Sequence, residues 1–228
     1  MTRIQKTYQI LNIFLLILAM ACLFYYDYEG GLALKGITSG WFAALGAVNL
    51  VFVHQAACKG RSFAWLVVTA LFLCMTADVL LGIDFMVGTL TFAVGHLFYF
   101  GAYCRLEPLR RRDLFPIAAV GVVSLLCVLG TPFIQVDDPM LQGLLVGYAL
   151  VISCMLGKAI GNLRYRYSRT RLLLVIGSGL FWFSDLMLAL NMFGSGGRLT
   201  GILCMYTYWP GQSLLAHTLY HFATDEQA

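Results

Sequence analysis

The sequence predicts an all-α fold: a polytopic membrane bundle of eight transmembrane helices in a single domain, residues 1–228. Three observations predict it. The 228 residues are 60% hydrophobic and 11% charged, with a mean hydropathy of +0.80, and a soluble domain of this length needs far more charged surface. Apolar stretches recur at approximately 9–26, 37–54, 63–83, 87–104, 114–133, 140–157, 171–191 and 200–219, each near the roughly 20 residues that cross a hydrocarbon core. They use nearly the whole chain and leave no room for a separate soluble domain. The third observation is the placement of Lys and Arg. The N-terminus and the 2–3, 4–5 and 6–7 connections hold thirteen of the fifteen, whereas the other connections hold only Lys35 and Arg198. That bias calls for an even number of spans and places both termini in the cytoplasm.

The elements follow in order. The first stretch lies after Arg3 and Lys6 and resembles a signal peptide, with Ala19-Met20-Ala21 in the place of a cleavage site. Tyr25, Tyr26 and Tyr28 follow at once, as an interfacial aromatic belt does, so it reads as an uncleaved first helix. Gly36, Gly40, Ala43 and Ala47 make a small-residue stripe on helix 2, suited to close packing. Helix 3 carries Asp78 and helix 4 presents Phe92, His96, Tyr99 and Tyr103 on one face. The fifth and sixth stretches contribute no candidate group. Helix 7 carries Asp185, and helix 8 contains Tyr208, Pro210, Gly211 and Gln212, where the proline should loosen the helix. The stretch around Asp78 resembles that around Asp185 with a two-residue offset, four helices apart, which points to a 4+4 parallel repeat.

Ionisable groups within spans are expensive and generally face a bundle interior or a water-filled cavity. Asp78 and Asp185 both fall roughly 20 Å from the arginine-rich side, slightly beyond the middle of a ~30 Å core. Equal depth makes a shared site the leading expectation; the plainer alternative is that each carboxyl bonds a neighbouring helix. For His96 the choice is between donating to Asp78 or a substrate and being packed in the core. For Tyr208 and the Pro210 region it lies between a cavity lining and an ordinary kink. Lys35 and Arg198, the outer cations, suit a phosphate at the cavity mouth, and Arg198 also suits interfacial snorkelling. His217 and His221 alone make a poor metal site, and no metal is expected. The seven cysteines include no C-x-x-C pair and read as thiols packed in helices.

Several chemistries are poorly supported. G-x-S-x-G, H-E-x-x-H, P-loop and dinucleotide motifs are absent. No basic run is interleaved with aromatics, so no nucleic-acid partner is expected.

Four motifs then suggest a family. Thr76-Ala77-Asp78-x-x-Leu81, Gly95-His96-x-x-Tyr99, Leu180-Phe181-x-x-Ser184-Asp185-x-x-Leu188-Ala189 and Tyr208-x-x-Gly211-Gln212-x-Leu214-x-Ala216 resemble, in order and spacing, the YhhN-type lysoplasmalogenase family over about residues 30–220. The family has Lys-Pro-Leu where this chain reads Lys35-Gly36-Ile37, and Gly-Asp where it reads Ala77-Asp78. The resemblance implies an enzyme that hydrolyses the vinyl ether bond of lysoplasmalogens to a fatty aldehyde and glycerophospho-ethanolamine or -choline. It implies Asp78 and Asp185 as catalytic residues. His96, Tyr99, Ser184, Tyr208 and Gln212 would contact the substrate, and Lys35 and Arg198 would hold its phosphate. No cofactor is implied; the partners are the lysophospholipid substrate and membrane lipids. A proton-coupled transporter or lipid carrier using the same aspartates is the alternative, and a membrane sensor a third possibility. Short loops and the absence of a cleaved leader favour a bacterial inner membrane.

Overall fold

A computed structural model describes residues 2–130, 134–194 and 196–225. Among these, eight α-helices follow one another: α1 (Arg3–Glu29), α2 (Leu32–Gln55), α3 (Arg61–Leu81), α4 (Phe85–Leu106), α5 (Leu114–Leu129), α6 (Pro139–Tyr165), α7 (Arg169–Phe193) and α8 (Arg198–Asp225), with a 3-10 turn at Arg111–Asp113 before α5. No strand forms among the described residues; one isolated bridge pairs Ile134 with Gly194. Seven helical segments are long and apolar enough to cross a membrane, namely α1 to α4, α6, α7, and α5 taken together with the 3-10 turn before it (Arg111–Leu129), so the chain is an integral multi-pass membrane protein. The eighth expected span differs in kind. α8 is 28 residues long but carries Tyr, Thr, Gln, Ser and His throughout. It packs against α1, α2, α3 and α7, and a helix surrounded by protein needs no apolar face toward lipid.

The helices overrun the apolar stretches because local capping, not hydropathy, ends them. Thr2 and Gln5 form a capping box that starts α1 before its apolar run. The Asp84 carboxylate accepts from Val87 N at 2.9 Å and starts α4, closing the 3–4 connection to a few residues. Asp138 and Ser168 cap α6 and α7 in the same way. α2 begins at Leu32, so Lys35 stands in its first turn and not in a loop. The expected end of helix 5 at 133 reaches residues 131–133, outside the described residues; the described helix stops at Leu129.

α2 packs against α1, α3 and α8, while α6 packs against α5, α7 and α4; α3 lies on α4 as α7 lies on α8. Exchanging α1–α4 for α5–α8 maps these seams onto one another. Glycines set several close seams. A Cβ on Gly88 would lie 2.5 Å from the Leu81 backbone nitrogen, and one on Gly211 3.1 Å from the Gly177 carbonyl oxygen, so α3–α4 and α7–α8 touch backbone to backbone. α8 runs through Pro210 without a break, and its glycine serves contact with α7 rather than a loosened turn. At the arginine-rich end, buried polar pairs hold the bundle. Asn12 and Asn49 exchange both amide hydrogen bonds at 2.8 Å between α1 and α2, and Lys158 meets Asp113 at 2.7 Å.

Replacing Gly88 with Ala should force α3 and α4 apart and lower the thermal midpoint in detergent by roughly 5 °C. Gly147→Ala, where nothing lies within 4 Å of the new methyl, should leave the midpoint unchanged or raise it. Equal midpoints for the two variants would contradict the backbone seam.

Candidate active site

Asp78 and Asp185 sit at matching registers. From the helix starts at Arg61 and Arg169, they lie about 26 and about 24 Å along their axes at 1.5 Å per residue. This is deeper than the sequence suggests. Asp78 has less than one turn of α3 beyond it, so the site belongs to the arginine-poor half of the bundle.

Each carboxylate is held by the helix preceding its own and by the last helix of the other half. Asp78 Oδ2 accepts from the Ser39 hydroxyl at 2.5 Å and from the Tyr208 hydroxyl at 2.7 Å. The Lys35 ammonium faces Oδ1 at 3.8 Å. Lys35 and Ser39 are i and i+4 on α2, so one face of that helix presents both. Trp209 Nε1 donates to Ser39 Oγ at 3.1 Å and fixes it from behind. On the other side, the Tyr148 hydroxyl of α6 donates to Asp185 Oδ2 at 2.7 Å. His96 Nε2 of α4 lies 2.8 Å from that hydroxyl and 3.6 Å from Asp185 Oδ2. A phenol has one proton. When Tyr148 gives it to Asp185, His96 must donate to the tyrosine oxygen. When Asp185 is itself the donor, Tyr148 turns its proton toward His96. The trio therefore has two complete hydrogen-bonding states that differ by one proton on Asp185 and by whether His96 Nε2 carries a proton.

Both aspartates line one cavity of about 230 Å³, together with Lys35, Ser184, Tyr208 and Phe92. Its wall also includes Tyr26 near the end of α1, Asn191 near the end of α7 and Gly201 near the start of α8, so it opens toward the arginine-poor face. The Asp185 side chain is 15% exposed and that of Asp78 only 4%; Asp185 is the more accessible. A second, narrower space of about 70 Å³ lies on the other side of Asp185, walled mainly by apolar side chains of α4, α5, α6 and α7, including Leu145, Ala149 and Trp182. Asp185, Phe92, Leu81 and Leu188 line both spaces. Behind them Phe92, Phe181 and Tyr208 pack edge to face, with ring centroids 5.2 to 5.9 Å apart.

The predicted residues separate into groups. Lys35, Asp78, Ser184, Asp185 and Tyr208 reach the cavity. His96 is fully buried and meets Asp185 rather than Asp78. Tyr99 and Gln212 are also fully buried, and the Tyr99 hydroxyl donates to Gln212 Oε1 at 2.7 Å; they join α4 to α8 behind the cavity wall. Arg198 is exposed, one turn before Gly201 at the cavity rim. His217 Nδ1 lies 2.8 Å from Asn12 Oδ1, in the polar seam of the opposite half. Tyr148 and Ser39 are absent from the sequence prediction. Only their presence in otherwise apolar helix faces signals them, and that is too common to single them out.

The YhhN family model matches residues 38–219, about four-fifths of the chain. The chain belongs to the YhhN family, which is the lysoplasmalogenase family. All of the cavity residues but two fall within the matched span; Tyr26 and Lys35 precede it, so the place of Lys35 rests on its distance to Asp78. No curated protein and no solved structure gives a significant match.

Ser39→Ala should remove one donor from Asp78 and leave Trp209 Nε1 buried without an acceptor. We expect a loss of about 1–3 kcal/mol of stability, read as a lower unfolding midpoint in detergent, while Thr91→Ala, whose exposed hydroxyl bonds only its own helix, should change nothing. An unshifted midpoint for Ser39→Ala would show that this hydroxyl does not hold the site.

Proposed function

We propose that the protein hydrolyses the vinyl ether bond of lysoplasmalogens by carboxylate acid/base catalysis, releasing fatty aldehyde and glycerophospho-ethanolamine or -choline. The observation that carries this is the meeting of a polar cavity and an apolar cleft at Asp185. A lysoplasmalogen is divided at the same place: headgroup and glycerol on one side, alkenyl chain on the other. With the chain in the cleft and the phosphate near Lys35, with Arg198 at the rim, the vinyl ether lies between the aspartates.

The chemistry follows from the bond. A vinyl ether resists base and is cleaved after protonation of the carbon distal to oxygen. Asp185 supplies that proton, and the electron pair of the double bond forms the new C–H bond, leaving an oxocarbenium ion. Asp78, the carboxylate paired with an ammonium, stabilises the cation and takes a proton from the water that adds to it, the division of labour of glycosidases. The hemiacetal then collapses: Asp78 returns its proton to the departing glycerol oxygen, and Asp185 accepts the hemiacetal hydroxyl proton. Both groups regain their starting states. His96 and Tyr148 steady Asp185 through its change of protonation, a positioning role. Ser184 lies beside the reacting carboxyl, and Tyr208 holds Asp78. Tyr99 and Gln212 support the wall from behind.

In this reading all eight helices span, α8 as the central one, and the thirteen Lys and Arg residues of one side place both termini in the cytoplasm. The cavity then opens to the outer side of a membrane, and the short loops are in keeping with a bacterial inner membrane. A proton-coupled carrier is the competing reading, favoured by the matched surroundings of the two aspartates in the two halves.

Purified protein should release aldehyde from lysoplasmenyl-ethanolamine, and Asp78→Asn and Asp185→Asn should each reduce the rate at least about a hundredfold while the fold is retained, read as an unchanged helical circular-dichroism spectrum. Substrate-dependent proton flux into vesicles with no aldehyde would replace the hydrolase with the carrier. Ala149→Phe should fill the apolar cleft and lower kcat/KM for an 18-carbon alkenyl chain by roughly tenfold more than for an 8-carbon one; equal losses would remove the chain from that cleft.

A further inference from the structure

A second charged cavity lies at the opposite end of the bundle from the aspartates. It has a volume of about 360 Å³ and is lined by Arg110, Arg112 and Arg164, with Asp113, Tyr165 and Phe115. Three arginines around one concavity would repel one another unless answered, and the structure answers them unequally. The Asp113 carboxylate is already engaged: it accepts from the Lys158 ammonium at 2.7 Å and from Arg110 backbone N at 2.9 Å. Its charge is cancelled by Lys158, itself buried and further bonded to the Pro108 carbonyl at 3.1 Å. Glu107 is drawn to Arg171 at 2.5 Å and reaches Arg110 only at 3.9 Å. Among the described residues, Arg112 and Arg164 have no acidic partner.

The cavity is also shaped. The Arg110 guanidinium lies 4.0 Å over the Tyr165 ring, which fixes one donor plane at its wall. Gly161 lines the floor; a side chain there would strike the Asp113 carboxylate. Phe115, which lines the cavity, is 71% exposed and its neighbour Leu114 56%, so a short apolar strip at the start of α5 adjoins the arginines. Guanidinium forks match phosphate oxygens, and basic pockets between helices at a membrane surface suit anionic headgroups. The adjoining apolar strip distinguishes a lipid from a free anion, because it offers a surface for acyl chains beside the phosphate site.

We infer that Arg110, Arg112 and Arg164 form a binding site for the phosphate of an anionic membrane phospholipid, on the face opposite the candidate active site and separate from it. The site is independent of the proposed reaction, since none of its residues lines the aspartate cavity.

Native mass spectrometry of the full chain, released from detergent and titrated with dioleoyl-phosphatidylglycerol, dioleoyl-phosphatidylcholine or inorganic phosphate, tests it. The wild type should retain phosphatidylglycerol in preference to phosphatidylcholine. Arg112→Gln/Arg164→Gln should weaken phosphatidylglycerol binding by about tenfold or more. Arg105→Gln/Arg111→Gln removes the same charge outside the cavity and should bind as the wild type does. Equal weakening in both double variants would reduce the effect to diffuse charge and overturn the site. Equal retention of the two lipids, or unchanged binding by the first variant, would overturn it as well. Retention of inorganic phosphate as strong as that of the lipid would assign the arginines to a free anion instead.

Discussion

A carboxylate placed among hydrocarbon-facing helices must find donors, a counter-charge or water, because nothing else in that environment offsets the loss of hydration. Asp78 and Asp185 impose this requirement twice, and the arrangement of the arginine-poor half follows from it. Asp78 binds α3 to α2 and α8 through Ser39, Lys35 and Tyr208. Asp185 binds α7 to α6 and, through Tyr148, to α4. The close glycine seams between α3 and α4 and between α7 and α8 bring these partners within reach. Only α1 and α5 stand outside the network, and those are the helices on the rim of the bundle.

The same network sets the two carboxyl groups apart. A site made only of satisfied carboxylates would be inert. Here Asp78 is nearly enclosed, with two hydroxyl donors on Oδ2 and an ammonium facing Oδ1, whereas Asp185 keeps more of its surface on the cavity and takes its hydrogen bond from a tyrosine that also meets a histidine. The two carboxyl groups thus differ in surroundings while lining one space. In the proposed reaction that difference, rather than the presence of two acids, is what lets one give a proton and the other stay charged.

Much of this was legible in the sequence, for identifiable reasons. Apolar runs and lopsided arginines report directly on solvent, so the helices and their order emerged. The two aspartates stood out because charge is rare in such segments. Element ends were less legible, since Thr2, Asp84 and Ser168 set them by capping. The start of α2 mattered most: it moved Lys35 from a loop onto the helical face of Ser39. His96 was visible as a polar residue on helix 4, yet its partner was misplaced, because sequence proximity favoured Asp78 while packing of α4 on α6 brought Asp185. Tyr148 and Ser39 were missed, as one tyrosine or serine in an apolar span carries no periodic signal. Tyr99 and Gln212 shared faces with site residues but point into the core. α8 matched a span in length, but its polarity reflects a central position that only the tertiary structure reveals.

The proposed hydrolysis protonates the alkenyl carbon and leaves the glycerol oxygen in place. Turnover of lysoplasmenyl-ethanolamine in D₂O enriched in ¹⁸O, with the aldehyde trapped by reduction as it forms, measures this directly. Acid-catalysed cleavage places one deuterium on the carbon next to the aldehyde carbon and no ¹⁸O in the glycerophospho-ethanolamine. Absence of deuterium at that carbon, or ¹⁸O in the glycerol product, would contradict it.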